Sequence, residues 1–196
     1  MTSDNLAQGP TLTVEPEGIV TVNGTTVEAV GVGAATLTAS GVGLNGETVE
    51  ATVEFTVAEA PTLSLNRTEW WIDPNLAYSE THGACYLQGS VSGGLSERTV
   101  TWRMEPAAGP RLLIPVTNDA GDLPDPETFG NPYEEPVVTP YATPTKIRWV
   151  YAPEWYDTDV SSIEWPVSQT AVMVVNEGGA VFETSCVIEI RDPAGS

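Results

Sequence analysis

The sequence predicts an all-β protein made of two consecutive β-sandwich modules. Short runs of alternating polar and apolar residues recur about every eight to twelve residues, with turn-forming glycine, proline or asparagine between them. No segment shows the period of about 3.6 residues that is typical of an amphipathic helix. The chain has 196 residues, 41% of them hydrophobic, which is enough for two small packed cores.

An N-terminal arm, residues 1–10, precedes a small β module that we predict over residues 11–58. Asn23-Gly24 and Asn45-Gly46 are strong turn signals between alternating runs. Phe55 is the only aromatic residue in this part of the chain, so its core is expected to be thin. The predicted strands of the module are 11–14, 19–22, 26–30, 35–39 and 48–57.

A larger β-sandwich module is predicted over residues 59–193, after a short linker at 58–61. It contains all six tryptophans, and a long loop rich in proline and acidic residues is predicted over 117–143. Trp70 and Trp71 are expected to lie on a further strand, and a hairpin turn is expected over residues 176–179. The other predicted strands are 62–65, 84–91, 98–104, 111–116, 145–151, 170–175 and 180–190.

The first module contains a recurring pattern of glycine, valine and threonine that is similar to a known family. Residues 18–24 read Gly-Ile-Val-Thr-Val-Asn-Gly, and residues 31–39 read Gly-Val-Gly-Ala-Ala-Thr-Leu-Thr-Ala. This pattern resembles the second half of the bacterial immunoglobulin-like repeat of the Big2 type. Only seventeen residues precede Gly18, too few for the usual first half. We therefore expect a truncated repeat whose missing strands come from the second module or from a neighbouring subunit.

The second module also resembles immunoglobulin-like domains. The run Thr99-Val-Thr-Trp102 is similar to a strand in the first half of Big2 repeats. Cys85, Trp102 and Cys186 follow the Cys, Trp, Cys order of an immunoglobulin sandwich, although the first interval is longer than usual. This resemblance implies a disulfide between Cys85 and Cys186, and two buried free thiols are the alternative. The fold class implied for the whole chain is two immunoglobulin-like β-sandwiches.

The charge of the chain limits its partners. It has 7 Lys and Arg residues against 27 Asp and Glu residues, a net charge of −20, and its first basic residue is Arg67. Such a surface repels nucleic acids and anionic membranes. Four explanations of the acidic excess stay open: solubility, docking on a basic partner, binding of divalent cations, or a salty habitat.

Two features of the sequence concern where the protein is made. No apolar run reaches the about 18 residues that a membrane span requires. The first ten residues contain neither the basic region nor the apolar region of a secretory signal. We therefore expect either synthesis without classical export or a piece of a larger protein.

The sequence predicts no enzymatic activity. His82 is the only histidine, and no nucleophile motif surrounds it. One histidine and two distant cysteines do not provide a zinc site, and no phosphate-binding motif is present. We interpret His82 as a loop residue and expect no catalytic residues and no organic cofactor.

Calcium is the one metal that the sequence suggests. Asp119, Asp122, Asp125 and Glu127 offer carboxylate oxygens within a turn-rich loop, the ligand type that Ca²⁺ prefers. Their spacing is not that of an EF-hand. The alternative is an acidic loop that is simply solvated.

Four aromatic residues are predicted to form a partner or ligand surface: Trp70, Trp71, Trp155 and Tyr156. Exposed aromatic rings stack on sugars, whereas covered rings serve core packing and contacts between chains. The sequence leaves both interpretations open.

The resemblance implies a structural role rather than catalysis. Immunoglobulin-like domains on a short chain without an export signal resemble accessory proteins of tailed bacteriophages, which decorate capsids or tails. We therefore expect a virion protein made in the host cytoplasm, with the shell or sister subunits as partners and a homo-oligomeric state. The alternative is a bacterial surface adhesin or a carbohydrate-binding module at the cell surface.

Overall fold

A computed structural model describes residues 10–24, 26–106, 108–116, 122 and 129–194. Thirteen β-strands account for most of the regular structure in these residues, so the all-β prediction is confirmed. The chain divides into two compact units, Met1–Ala60 and Pro61–Ser196. Each unit is described by itself below.

The first unit contains a three-stranded antiparallel sheet, in the order β1-β4-β5, and the separate hairpin β2-β3. Among its described residues, Val20 and Ala35 are the buried apolar side chains, so the core is thin. Its strands are β1 (Thr11–Glu15), β2 (Val20–Asn23), β3 (Thr26–Ala29), β4 (Gly33–Val42) and β5 (Thr48–Val57).

The hairpin turn lies one residue later than predicted. Asn23 pairs with Thr26, which makes Asn23 the last strand residue rather than the first turn residue. Gly24 then begins the turn with φ 62°, a left-handed conformation that glycine adopts without steric cost. The alternating pattern had located the strands but not the register of their pairing.

The second unit is a sandwich of two four-stranded sheets. One sheet has the order β10-β11-β8-β6, and the other has the order β7-β13-β12-β9. All neighbours are antiparallel except β7 and β13, which are parallel. The strands are β6 (Thr62–Leu65), β7 (Glu69–Ile72), β8 (Ala84–Ser92), β9 (Thr99–Glu105), β10 (Leu113–Pro115), β11 (Lys146–Tyr151), β12 (Val167–Glu177) and β13 (Ala180–Ile190).

The strand order of the second unit is that of an immunoglobulin sandwich. In the constant-type domain, strands A, B, E and D form one sheet and strands C, F and G form the other. Assigning A to G, in chain order, to β6, β8, β9, β10, β11, β12 and β13 reproduces both sheets, with β7 added beside β13. The immunoglobulin-like prediction is therefore confirmed for this unit, whereas the Big2 type of the first unit stays a prediction.

Large apolar side chains fill the space between the two sheets of the second unit. Trp102 on β9 and Trp149 on β11 are both fully buried, together with Leu87, Met173 and Ile188. Each such burial stabilises the fold by about 1.5–3 kcal/mol. The indole N–H of Trp102 donates to the carbonyl of Pro144 over 3.0 Å, so its polar atom is also satisfied.

Part of the predicted loop 117–143 forms backbone hydrogen bonds with the edge strand β9. Val137 pairs with Trp102 through two backbone hydrogen bonds of 2.7 and 2.8 Å. The backbone N–H of Met104 donates to Pro132 over 2.8 Å. This stretch therefore covers the outer edge of β9, although its prolines and acids had predicted an irregular loop.

Candidate functional site

The tryptophan pair of β7 belongs to a stack of cationic and aromatic side chains. The ring of His82 lies parallel to Trp71, with centroids 3.4 Å apart, and the guanidinium of Arg191 lies 3.5 Å from the same Trp71 centroid. Two groups at these distances cannot share one face, so they cover opposite faces of the indole. The Nδ1 atom of His82 also lies 3.2 Å from the carbonyl oxygen of Trp71.

The neighbouring indole of Trp70 is covered in a similar way. The guanidinium of Arg67 lies 3.9 Å from its centroid, and the His82 ring lies at 4.6 Å. Its N–H donates to the carbonyl of Ala84 over 2.9 Å. Both tryptophans are half-buried, and side chains of the same unit lie against both rings.

Trp155 and Tyr156 lie in a short 3-10 helix, Pro153–Tyr156. The two rings meet edge to face at 4.9 Å, and Tyr156 makes a second edge-to-face contact with Tyr133 at 5.3 Å. Both rings pack against a small apolar cluster that includes Ile114. Burial raises the pKa of the Tyr156 hydroxyl above its ordinary value. These residues anchor the helix to the sandwich and are half-buried.

The structure thus places the four predicted surface aromatics in two clusters of ring contacts. Trp70 and Trp71 interact with arginine and histidine, whereas Trp155 and Tyr156 interact with tyrosine and aliphatic side chains. Sugar stacking requires an accessible ring face, and the faces on β7 are occupied. Arg67 precedes Trp70 by only three residues, but His82 and Arg191 lie on other segments, so the sequence did not reveal the arrangement.

Cys85 and Cys186 are free thiols that lie in contact between the two sheets. Cys85 is on β8 and Cys186 is on β13, and both are fully buried in the same core as Trp102. A hydrogen bond with Cys186, together with burial, raises the pKa of the Cys85 thiol. In the immunoglobulin strand order β13 corresponds to G, whereas the usual second cysteine is on F. The Cys, Trp, Cys order of the sequence therefore does not reproduce the usual strand positions of the two cysteines.

The predicted calcium ligands Asp119, Asp125 and Glu127 lie outside the described residues, and Asp122 is exposed. Within the part of the chain that the structure describes, no three His, Cys, Asp or Glu side chains are grouped closely enough to hold a metal ion. The calcium site stays a prediction.

A buried polar network in the second unit was not predicted from the sequence. The hydroxyl of Tyr133 accepts from the backbone N–H groups of Leu112 and Leu113, over 3.1 and 2.9 Å, and donates to Oε1 of Gln169 over 2.6 Å. Gln169 in turn donates to the carbonyl of Pro110 over 2.6 Å. Burial raises the pKa of Tyr133. The network connects three distant segments.

A second polar cluster organises the connection between β8 and β9. The buried carboxylate of Glu177 accepts from the backbone N–H of Leu95 over 3.2 Å and lies 3.7 Å from Nε of Arg98. Arg98 donates to the carbonyl of Gly93 over 2.9 Å and also to that of Leu95. These contacts hold the loop between β8 and β9 against the end of β12.

Comparisons with known proteins concern the fold. No protein-family model matches the chain, and no curated protein matches it. Similar solved structures include Drosophila OTK extracellular domains 3-5, with TM-score 0.47 and 10% identity over 93% of this chain and 52% of that one. A chimeric titin Z1Z2-Z1Z2 tandem has TM-score 0.34 and 10% identity, over 94% and 85%. Sidekick-1 immunoglobulin domains 1-5 have TM-score 0.31 and 12% identity, over 93% and 33%.

The present chain thus spans about half of the OTK structure and a third of the Sidekick-1 structure. Among the described residues, no helix has the length and apolar character needed to cross a membrane.

Proposed function

We propose that this protein is a non-enzymatic assembly protein that acts through protein contacts, as an accessory component of a tailed-bacteriophage capsid or tail. The observation that supports this most is the surface of the first unit. Apolar residues of this unit remain exposed: Val53 on β5 is 52% exposed, and Leu44 in the turn between β4 and β5 is 74% exposed. Exposed apolar surface of this kind is typical of protein interaction sites.

The contacts of the only histidine support the non-enzymatic part of this proposal. His82 is stacked against Trp71 and held near the Trp71 carbonyl, so its ring is not directed toward a nucleophile. The thiols of Cys85 and Cys186 are buried, which excludes them from reaction with a substrate in solution. The virion context is supported by the Big2-like pattern of residues 18–57 and by the acidic charge, which suits a basic shell.

The alternative is an adhesin or carbohydrate-binding module. It now depends on Trp155 and Tyr156, because the ring faces of Trp70 and Trp71 are covered by side chains of the same unit. A sugar at this position would have to bind a half-buried ring that already supports the 3-10 helix. The contacts of the aromatic residues therefore favour assembly over glycan binding.

Light scattering of the full chain over a concentration series, with and without calcium, tests the proposal. An assembly component is expected to form a trimer, a pentamer or a larger closed ring. A monomer at every concentration, together with glycan-array binding that is lost in Trp155→Ala, would contradict it. Trp165→Ala is the matched control, because Trp165 is also half-buried but contacts Tyr151 instead.

A further inference from the structure

Strand β5 forms a long, regular and open edge of the first unit. Its ten residues pair with β4 without interruption, from Thr48 opposite Val42 to Val57 opposite Gly33. The strand order is β1-β4-β5, so no described strand pairs with its outer side. On that side, alternate residues direct backbone N–H and C=O groups away from the sheet, where another strand could bind them.

Apart from its two glutamates, this edge lacks the features that usually prevent strand addition. Natural edge strands are protected by proline, by charged side chains and especially lysine, by bulges or by short length. The β5 sequence, Thr-Val-Glu-Ala-Thr-Val-Glu-Phe-Thr-Val, contains no proline, no lysine and no bulge. Its apolar face is also accessible, with Val49 39% and Val53 52% exposed. Apolar side chains of a strand added beside β5 would contact Val49 and Val53 as cross-strand neighbours and so remove part of this surface from water.

Charge indicates the chemistry of that partner. Glu50 and Glu54 lie on the polar face of β5, opposite Ser40 and Thr36 of β4, so the neighbouring strand supplies no cation. Residues 1–60 contain eight acidic residues and no lysine or arginine, which gives a net charge of −8. A second copy of the unit would therefore repel the first, whereas a strand with basic residues beside the two glutamates would be attracted.

We propose that β5 binds an extended basic segment of a partner protein, which adds to the sheet as a further strand. Apolar residues of the segment lie beside Val49 and Val53, and its lysine or arginine residues lie beside Glu50 and Glu54. The backbone hydrogen bonds supply affinity, and the two faces supply selectivity. This inference rests on the assembly function proposed above and identifies the surface and the partner chemistry.

A designed peptide tests the proposal with the full-length chain. The probe is a labelled ten-residue peptide, capped at both ends, in which valine alternates with lysine and threonine; fluorescence anisotropy measures its binding. Binding is expected to slow amide hydrogen exchange within residues 48–57. It is also expected to weaken as salt is raised, because the glutamates are exposed. A peptide with glutamate in place of lysine, and one N-methylated at alternate residues, are both expected to bind poorly.

Charge variants locate the site. Glu50→Gln with Glu54→Gln is expected to weaken binding of the lysine peptide about three- to tenfold, since exposed ion pairs have modest energies. Glu17→Gln with Glu28→Gln removes the same charge from exposed positions outside β5 and is expected to leave affinity unchanged. Val53→Thr keeps a β-branched side chain but removes apolar contact, and it is also expected to weaken binding.

The proposal is overturned if the lysine peptide fails to bind, if the glutamate and N-methylated peptides bind equally well, or if both glutamine pairs lose affinity equally. Self-association that disappears in Val53→Lys would place a second copy on β5 and would also overturn it. These results are independent of the glycan array. A glycan-binding monomer that still binds the lysine peptide through β5 would contradict the assembly function but not the strand-addition site.

Discussion

Replacing Tyr133 by phenylalanine removes one oxygen atom and, with it, three buried hydrogen bonds. The Tyr133 side chain is 2% exposed. Its hydroxyl accepts from the N–H groups of Leu112 and Leu113 and donates to Gln169. In Tyr133→Phe the ring keeps its apolar contacts, so any loss of stability reports on the polar groups that remain unpaired.

The expected cost follows from those groups. A buried donor or acceptor without a partner costs roughly 1–3 kcal/mol, and the substitution leaves three of them. Gln169 keeps its bond to Pro110, and a water molecule or a small relaxation recovers part of the loss. We expect a decrease of about 3 kcal/mol in the free energy of unfolding, which corresponds to about 6–12 °C in Tm for a chain of this length.

Urea unfolding followed by tryptophan fluorescence measures this change. All six tryptophans lie in the second unit, so the signal reports on the sandwich that contains Tyr133. Tyr78→Phe is the control, because Tyr78 is 42% exposed and its loss of a hydroxyl should change stability by less than about 0.5 kcal/mol. A loss below about 1 kcal/mol in Tyr133→Phe would refute the inferred network.

Three further predictions concern the same unit. Burial raises the pKa of Tyr133 and Tyr156 above the ordinary value near 10, so the unfolded state loses these protons at lower pH than the folded state. The free energy of unfolding is therefore expected to be unaffected below about pH 10 and to fall above it. Urea unfolding across pH 9–11 measures this change. Gly94→Ala places a methyl group against the carboxylate of Glu177. Gly179 is also at positive φ but has open space around it, so Gly179→Ala is the control. In thermal unfolding, Gly94→Ala is expected to lower the free energy of unfolding by about 2 kcal/mol more than Gly179→Ala. The two buried thiols are expected to react with a thiol reagent only after the protein is unfolded in denaturant. If no thiol reacts in denaturant, the two cysteines form a disulfide instead.

Local patterns were sufficient to locate most strands. Alternation predicted β5 at 48–57, β6 at 62–65 and β13 at 180–190 with the bounds that the structure has. Other strands differ by a few residues. The hairpin between β12 and β13 is tighter than the predicted turn at 176–179, because β12 extends to Glu177, which pairs with Ala180 of β13. Side-chain alternation is a property of neighbouring residues, whereas the end of a strand depends on its partner.

The candidate sites were less predictable, because they combine distant segments. The sequence identified Trp70 and Trp71 as notable, but two of the side chains that cover them, His82 and Arg191, come from other segments of the chain. No local sequence pattern predicts this stacking, because it depends on how distant segments pack together.

By itself, the sequence determined that the protein is all-β, acidic and without a catalytic motif, because alternation, turn residues and net charge are local or additive properties. Only the tertiary structure decided that Cys186 faces Cys85 from β13, that Tyr133 bonds to Leu112 and Leu113, and that β5 is an open edge. The physical reason is that strand order and cross-sheet contact are set by long-range pairing. Many pairings suit the same alternating pattern, and the packing of the whole unit selects among them.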